Sequence, residues 1–199
     1  MNKQLLVDVR PFKISRKQIH ESIKENSGRL IVKGVLQRAE SKNQNGRVYP
    51  RDVLLKEVSK YLENQVTERR ALGELDHPDS PIVQLENVSH LVTDTNWDGD
   101  NLMGTIEVLD TPKGQILEKL INRDIKLGIS SRGLGSTSRT NEGYDMVEDD
   151  FNLVCYDMVS NPSTSGAYMN LQESREYKTL VNQNRIVLLD EILNDILEL

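Results

Sequence analysis

The chain has 199 residues, 25 basic against 31 acidic side chains, a net charge of −6 and one cysteine. That length suits a single domain with tails and buries a core without staples. The lone Cys155 excludes an internal disulfide framework, the acidic balance argues against a general nucleic-acid binder, and no stretch reads as a signal peptide or membrane span.

In chain order, Lys3 to Val9 is expected as a strand and residues 15–26 as a short helix ending at Gly28. Leu30-Ile31-Val32 and Val35-Leu36 read as a buried strand over 29–37. Asn45-Gly46 marks a turn. Pro50 opens a helix, and Val53, Leu54, Val58, Tyr61, Leu62 and Val66 recur at helical spacing, which predicts an amphipathic helix over 51–66. Two prolines and two aspartates make 75–81 a loop. Strands follow at 83–93 and 101–109, joined at Asp98-Gly99-Asp100. Thr111 caps a helix that Pro112 begins and Arg123 ends, with Ile116, Leu117, Leu120 and Ile121 on one side. The strand from Ile125 to Ser131 is followed by a polar turn with Asn141-Glu142-Gly143, and further strands are expected near 144–148 and 151–159. Residues 163–184, rich in Ser, Asn, Gln and Glu, read as a linker. Ile186, Leu189, Ile192, Leu193, Ile196 and Leu197 lay an apolar stripe along a helix over 186–199. That helix can dock back, pair with a partner helix or be removed.

Two stretches carry chemistry: Leu72-Gly73-Glu74-Leu75-Asp76-His77-Pro78 and Gly128-Ile129-Ser130-Ser131-Arg132-Gly133-Leu134-Gly135-Ser136. They place a hydroxyl and an imidazole on one chain. A serine hydroxyl needs a base to take its proton, and histidine titrates in the right range. Side chains alternate along a strand, so Ser131 shares the face of Leu127 and Ile129, and Ser130 faces solvent or a cleft. That favours Ser130 as nucleophile, although both serines also suit the end of a strand. Gly133 and Gly135 bring backbone amides within reach of a developing oxyanion, and Arg132 adds a positive charge there or is a solvated surface residue. His77 lies in a loop, free to reach a strand end or simply to sit in solvent. His20 falls in a charged segment, and His90 is explained by packing in a strand. Asp157 continues the face of Phe151, Leu153 and Cys155. A carboxylate there is costly unless paired, and His77 is a natural partner; otherwise Asp157 sits solvated at the strand end or pairs with an arginine. Asp76 is a rival orienting group. Cys155 reads as a core thiol. The three histidines and one cysteine show no zinc-binding spacing, so no metal or organic cofactor is expected.

With these residues in hand, the chain resembles the prohead core proteases of tailed phages, the T-even-like capsid maturation proteases in particular. The resemblance covers residues 29–165. It is carried by Arg47-Val48-Tyr49-Pro50, the two long stretches above, and Asp157 before Asn161-Pro162-Ser163. It implies an α+β fold similar to that of the herpesvirus assemblin proteases: a mixed, mostly antiparallel β-barrel flanked by helices. His77 then matches the family histidine, Ser130 the nucleophile and Asp157 the third member. In the acyl transfer that follows, backbone amides near Ser131 to Gly133, with or without Arg132, are expected to stabilise the oxyanion and bind substrate.

The function implied is a serine endopeptidase that matures the prohead inside the host cytoplasm. Its substrates would be scaffold and capsid proteins and the chain itself, cut after Glu in Leu/Ile-X-Glu sites, with self-association left open and with no nucleic-acid or membrane partner. Ile19-His20-Glu21, Ile23-Lys24-Glu25, Leu171-Gln172-Glu173, Leu189-Asp190-Glu191 and Ile196-Leu197-Glu198 fit that pattern and cluster at the two ends; Leu72-Gly73-Glu74 and Leu55-Lys56-Glu57 fit as well, but the first touches the site and the second lies in the expected helix. The expected organisation is therefore an N-terminal segment 1–28 that is removed, a protease domain 29–165, and a removable linker and helix 166–199. Selection of Glu needs a cation near Ser130; Arg132, Arg139, Lys126 and Arg123 are the neighbours in sequence. The alternative is a catalytically inactive scaffold or assembly component acting through its C-terminal helix.

Overall fold

The computed structural model describes residues 4–11, 29–76, 78, 80–123, 125 and 127–160. His77, Lys126, the expected helix over 15–26, the Asn161-Pro162-Ser163 stretch, the linker and the helix over 186–199 lie outside the described residues.

Ten strands and two α-helices are formed within these limits. The order is β1 (Gln4–Pro11), β2 (Ile31–Arg38), β3 (Arg47–Val48), α1 (Arg51–Tyr61), β4 (Leu72–Glu74), β5 (Val88–Asp98), β6 (Asn101–Val108), α2 (Pro112–Asn122), β7 (Gly128–Gly135), β8 (Thr137–Arg139), β9 (Asp145–Val147) and β10 (Asn152–Val159). The fold is α+β. One sheet runs β1-β7-β10, a second β2-β6-β5-β4 and a small third β3-β9-β8. Pairing is antiparallel throughout except between β3 and β9.

The expected closed barrel is not formed. Among the described residues the first two sheets share no strand ladder and only one isolated parallel bridge, Leu75 to Met158. β4 is only three residues long, and Pro78, which has no N–H to donate, cannot extend the pairing.

The helices follow the apolar spacing. Val53, Leu54, Val58 and Tyr61 of α1 are buried, and the helix continues as a π-helical turn, Leu62–Val66. Thr111 caps α2 by accepting the Gly114 N–H at 3.0 Å. The 83–93 strand starts later than expected, at Val88, because Leu85–Asn87 forms a 3-10 turn. The largest departure is β7. It begins at Gly128 and runs through the stretch that turn chemistry assigned to a bend. β1 and β10 pair along its two edges, and that tertiary pairing overrides local turn preference. Gly133 serves this packing: a methyl there would stand 2.5 Å from the Phe151 ring and 2.7 Å from the Asn152 carbonyl.

The core lies between the sheets and α1. Tyr61 meets Tyr156 edge to face at 5.7 Å, and Leu36, Leu54, Leu102, Ile106, Ile129 and Met158 fill the space around them. Residues 4–11, assigned from sequence to a terminal segment outside the protease domain, are structurally a strand of the sheet that holds Ser130. Gly73 is where β4 passes closest to its neighbours. A methyl there would run into the His90 imidazole and the Tyr156 carbonyl. Gly73→Ala is expected to lower stability by about 1–3 kcal/mol through overpacking. The readout is a lower urea midpoint at unchanged slope; an unchanged midpoint would refute the close approach.

Candidate active site

The register of β7 sorts its residues into two faces. Ser130 lies opposite Asp157 on β10 and Val9 on β1, Ser131 opposite Tyr156 and Asp8, and Arg132 opposite Cys155 and Val7. Directly opposed residues point the same way, and successive residues point opposite ways. Ser130 and Arg132 therefore share a face with Asp157 and Cys155. Ser131 shares the other face with Tyr156 and Asp8. The alternation inferred from sequence is the one observed.

The expected exposure is not. Ser130 is 0% exposed and Ser131 1%, and neither hydroxyl has a hydrogen-bond partner among the described residues. Ser130 is a buried hydroxyl beside a carboxylate, not one facing solvent.

Arg132 is corrected more sharply. It is neither a solvated arginine nor a charge free for an oxyanion: it is fully buried. Nε pairs with Asp157 Oδ2 at 2.9 Å and Nη2 with Glu74 Oε2 at 2.9 Å. Nη2 also donates to Asp157 Oδ1 at 3.2 Å, and Nη1 donates to the Ser80 carbonyl at 2.7 Å. Nε and Nη2 lie 3.2 and 3.1 Å from Cys155 Sγ. The thiol in turn donates to Asp157 Oδ1 at 3.3 Å, and burial pushes its pKa up, so it keeps that proton. The Glu74 N–H donates to Asp157 Oδ1 at 3.0 Å. Asp157 is not solvated at the strand end; it is buried and paired with an arginine, one of the alternatives left open from sequence. The amides of Ser131 to Gly133 belong to a strand paired on both edges, so in this form they are held in sheet pairing.

Glu74 had no role assigned from sequence, although it stands in the His77 stretch. It anchors the loop that follows. Its Oε1 accepts the Gln84 N–H, the Leu75 N–H donates to the Asn87 carbonyl at 3.0 Å, and the Asp76 N–H donates to the Met158 carbonyl at 2.7 Å. With Ser80 held by Arg132, the 75–84 segment is tied at four described points. Leu75 bridges Met158 and Met158 pairs with Ile129. Two strand spacings, about 10 Å, thus separate Leu75 from the strand of Ser130.

His90 is the one histidine among the described residues, and its ring is committed. The Tyr156 carbonyl can only accept, so Nε2–H donates to it at 3.0 Å, and Ser89 Oγ donates to Nδ1 at 2.8 Å. Burial lowers its pKa to about 4, against the pull of the Tyr156 hydrogen bond. A neutral ring with both nitrogens engaged is structural, as expected of a packed strand residue. Among the described residues no three His, Cys, Asp or Glu side chains cluster as a metal site, and no helix is long and apolar enough to cross a membrane.

Two carboxylates share one guanidinium here. Burial raises the Asp157 pKa, and Arg132 opposes that rise. A carboxyl raised in the folded state binds its proton more tightly there than in the unfolded chain. Folding stability is therefore greatest at low pH with respect to this group and falls as pH climbs from 3.8 through the raised value. Arg132→Met removes the counter-charge and leaves both carboxylates buried. It is expected to cost about 3–5 kcal/mol at neutral pH and to recover part of that as pH is lowered. Urea titrations at several pH values check this; a loss independent of pH would contradict it.

Residues 5–179 match the family described as prohead core protein serine protease. The chain is 37% identical over 153 residues to the prohead core protein protease of Enterobacteria phage T4, covering 75% of this chain and 72% of that protein. Its fold is similar to the solved structure of the bacteriophage T4 capsid assembly protease, with a TM-score of 0.69 and 29% identity over 80% of this chain and 99% of that one. A match of this extent in both sequence and fold shows that the chain belongs to the prohead core protein serine protease family.

Proposed function

We propose that this protein is a prohead maturation serine endopeptidase in which Ser130 is the nucleophile, His77 its base and Asp157 the third member. The observation that carries the reading is the direct pairing of Ser130 with Asp157 across β7 and β10, beside the tethered segment in which His77 stands. His77 takes the Ser130 proton as Oγ attacks the scissile carbonyl. It returns that proton to the leaving amine as the C–N bond breaks. Water, deprotonated by His77, then releases the acyl group as a carboxylic acid. Asp157 supplies a fixed negative charge for the imidazolium, and Arg132 and the Glu74 amide hold that carboxylate in place. Amides between Ser131 and Gly133 stabilise the oxyanion once they leave their sheet partners.

The full chain has the features of a precursor. Ser130 is buried, and β1 occupies one edge of its strand with Val9 opposite Ser130. Cleavage after Glu21 or Glu25 would detach β1 from the domain, and cleavage after Glu173 would detach the C-terminal helix. Both fit the Leu/Ile-X-Glu pattern. Scaffold and capsid proteins of the prohead are the substrates proposed beyond the chain itself, with the enzyme acting inside the prohead in the host cytoplasm.

Ser130→Ala is expected to reduce cleavage of scaffold by about 10⁴-fold or more, and Ser131→Ala to leave it within about tenfold. Mass spectrometry of the wild-type product should show ends near residues 26 and 173, with faster fluorophosphonate labelling than the intact chain. Scaffold processing that survives both serine substitutions would refute the serine mechanism and return the protein to an inactive assembly role.

A further inference from the structure

A cleft of about 470 Å³ opens between the end of the α1 segment, the loop after Ser80, and the start of β10. Ile82, Val83, Leu153 and Val154 give it aliphatic walls, and Arg70 and Asn152 line it with polar groups. Ile82 is 71% exposed, so its aliphatic surface is open to an incoming chain. Arg70 is exposed, and its guanidinium makes no ion pair or hydrogen bond among the described residues, whereas its neighbour Arg69 pairs with Glu107. An uncommitted cation beside apolar walls is complementary to an aliphatic side chain followed or preceded by a carboxylate.

The cleft is also placed to meet a polypeptide. Asn152 and Leu153 pair with Leu134 and Gly133, three to four residues along β7 from Ser130. At about 3.3 Å per residue that is roughly 10–13 Å. The loop forming its other wall follows Ser80, whose carbonyl Arg132 holds on the face that Ser130 shares. β7 pairs with Asn152 and Leu153 on one side, while the approach of β4 and Leu75 to β10 falls at the other end of that strand, at Tyr156 to Met158. The cleft-side edge at the start of β10 has no strand partner among the described residues, and an extended segment can add there by backbone pairing.

We propose that this cleft is a substrate subsite. It takes an extended stretch of the polypeptide being cut, with an aliphatic side chain against Ile82, Val83, Leu153 and Val154 and an acidic side chain on Arg70, three or four residues from the scissile bond. The assignment rests on Ser130 as nucleophile for its distance, but the cleft can be read without turnover.

Peptides that share one aliphatic residue and carry Glu, Gln or Lys three or four residues from the cleaved bond provide the probe. Binding to the full-length Ser130→Ala chain by fluorescence anisotropy should weaken about tenfold for the Glu peptide when Arg70→Glu is added, and strengthen for the Lys peptide, the scale of one charge-assisted contact. In the chain with Ser130 intact, Arg70→Glu should make the same exchange in kcat/KM, mainly through KM. A peptide too short to reach the cleft should be cut as fast as before. The exposed position of Arg70 predicts an unchanged melting temperature. Equal ranking of the three peptides with and without Arg70→Glu overturns the subsite. Cleavage that persists in Ser130→Ala overturns the nucleophile assignment instead, while the binding exchange still decides the cleft.

Discussion

Arg132 is the group on which the centre of this molecule is organised. A guanidinium with no solvent contact must find its partners inside the protein, and so must the Glu74 and Asp157 carboxylates that face it. They solve the problem for one another at 2.9 Å on both sides. Each member comes from a different place: Glu74 ends β4, Arg132 is in mid-β7, Asp157 is near the end of β10, and Ser80 adds its carbonyl from a loop. Separating any one of these segments would strand a buried charge. A buried ion pair often contributes little to net stability compared with apolar packing. What it does confer here is geometry, since the bidentate shape of arginine fixes two carboxylates in direction as well as distance.

That geometry has a chemical consequence. The Asp157 carboxylate is held beside Ser130 by donors on three sides: Arg132, the Glu74 amide and the Cys155 thiol. The segment containing His77 leaves β4 from the same network and is tied back to it at Ser80 and Gln84. The proposed acid–base chemistry then draws on a charge already oriented by the fold. The same face is closed off in the full chain, because Ser130 has no solvent contact and its strand is paired on both edges. An ordered carboxylate and an inaccessible hydroxyl thus occur side by side in this chain.

The T4 relative and the family match join this chemistry to head assembly. β1 makes residues 4–11 part of the sheet that holds Ser130. It is a strand of the candidate active sheet rather than a loose leader, so its loss would alter the pairing of β7 directly.

Much was legible in the residues themselves. The spacing of Val53, Leu54, Val58 and Tyr61, the Thr111 cap and the Asp98-Gly99-Asp100 turn depend on contacts within a few residues, and they are where the sequence placed them. Alternation along β7 also put Ser130 and Ser131 on opposite faces, because strand geometry imposes it on any chain. What remained hidden depends on partners distant in sequence. Only the pairing of β7 with both β1 and β10 turned an expected bend into a strand and buried Ser130. Only the convergence of Glu74, Asp157 and Ser80 turned Arg132 from a candidate oxyanion charge into a buried counter-ion, and only the folding of 64–70 against 81–83 and 152–154 made Arg70 a neighbour of the cleft. Local periodicity is written along the chain, whereas the cost of burying a charge is settled by whichever remote segments supply its partners, and that is decided in three dimensions.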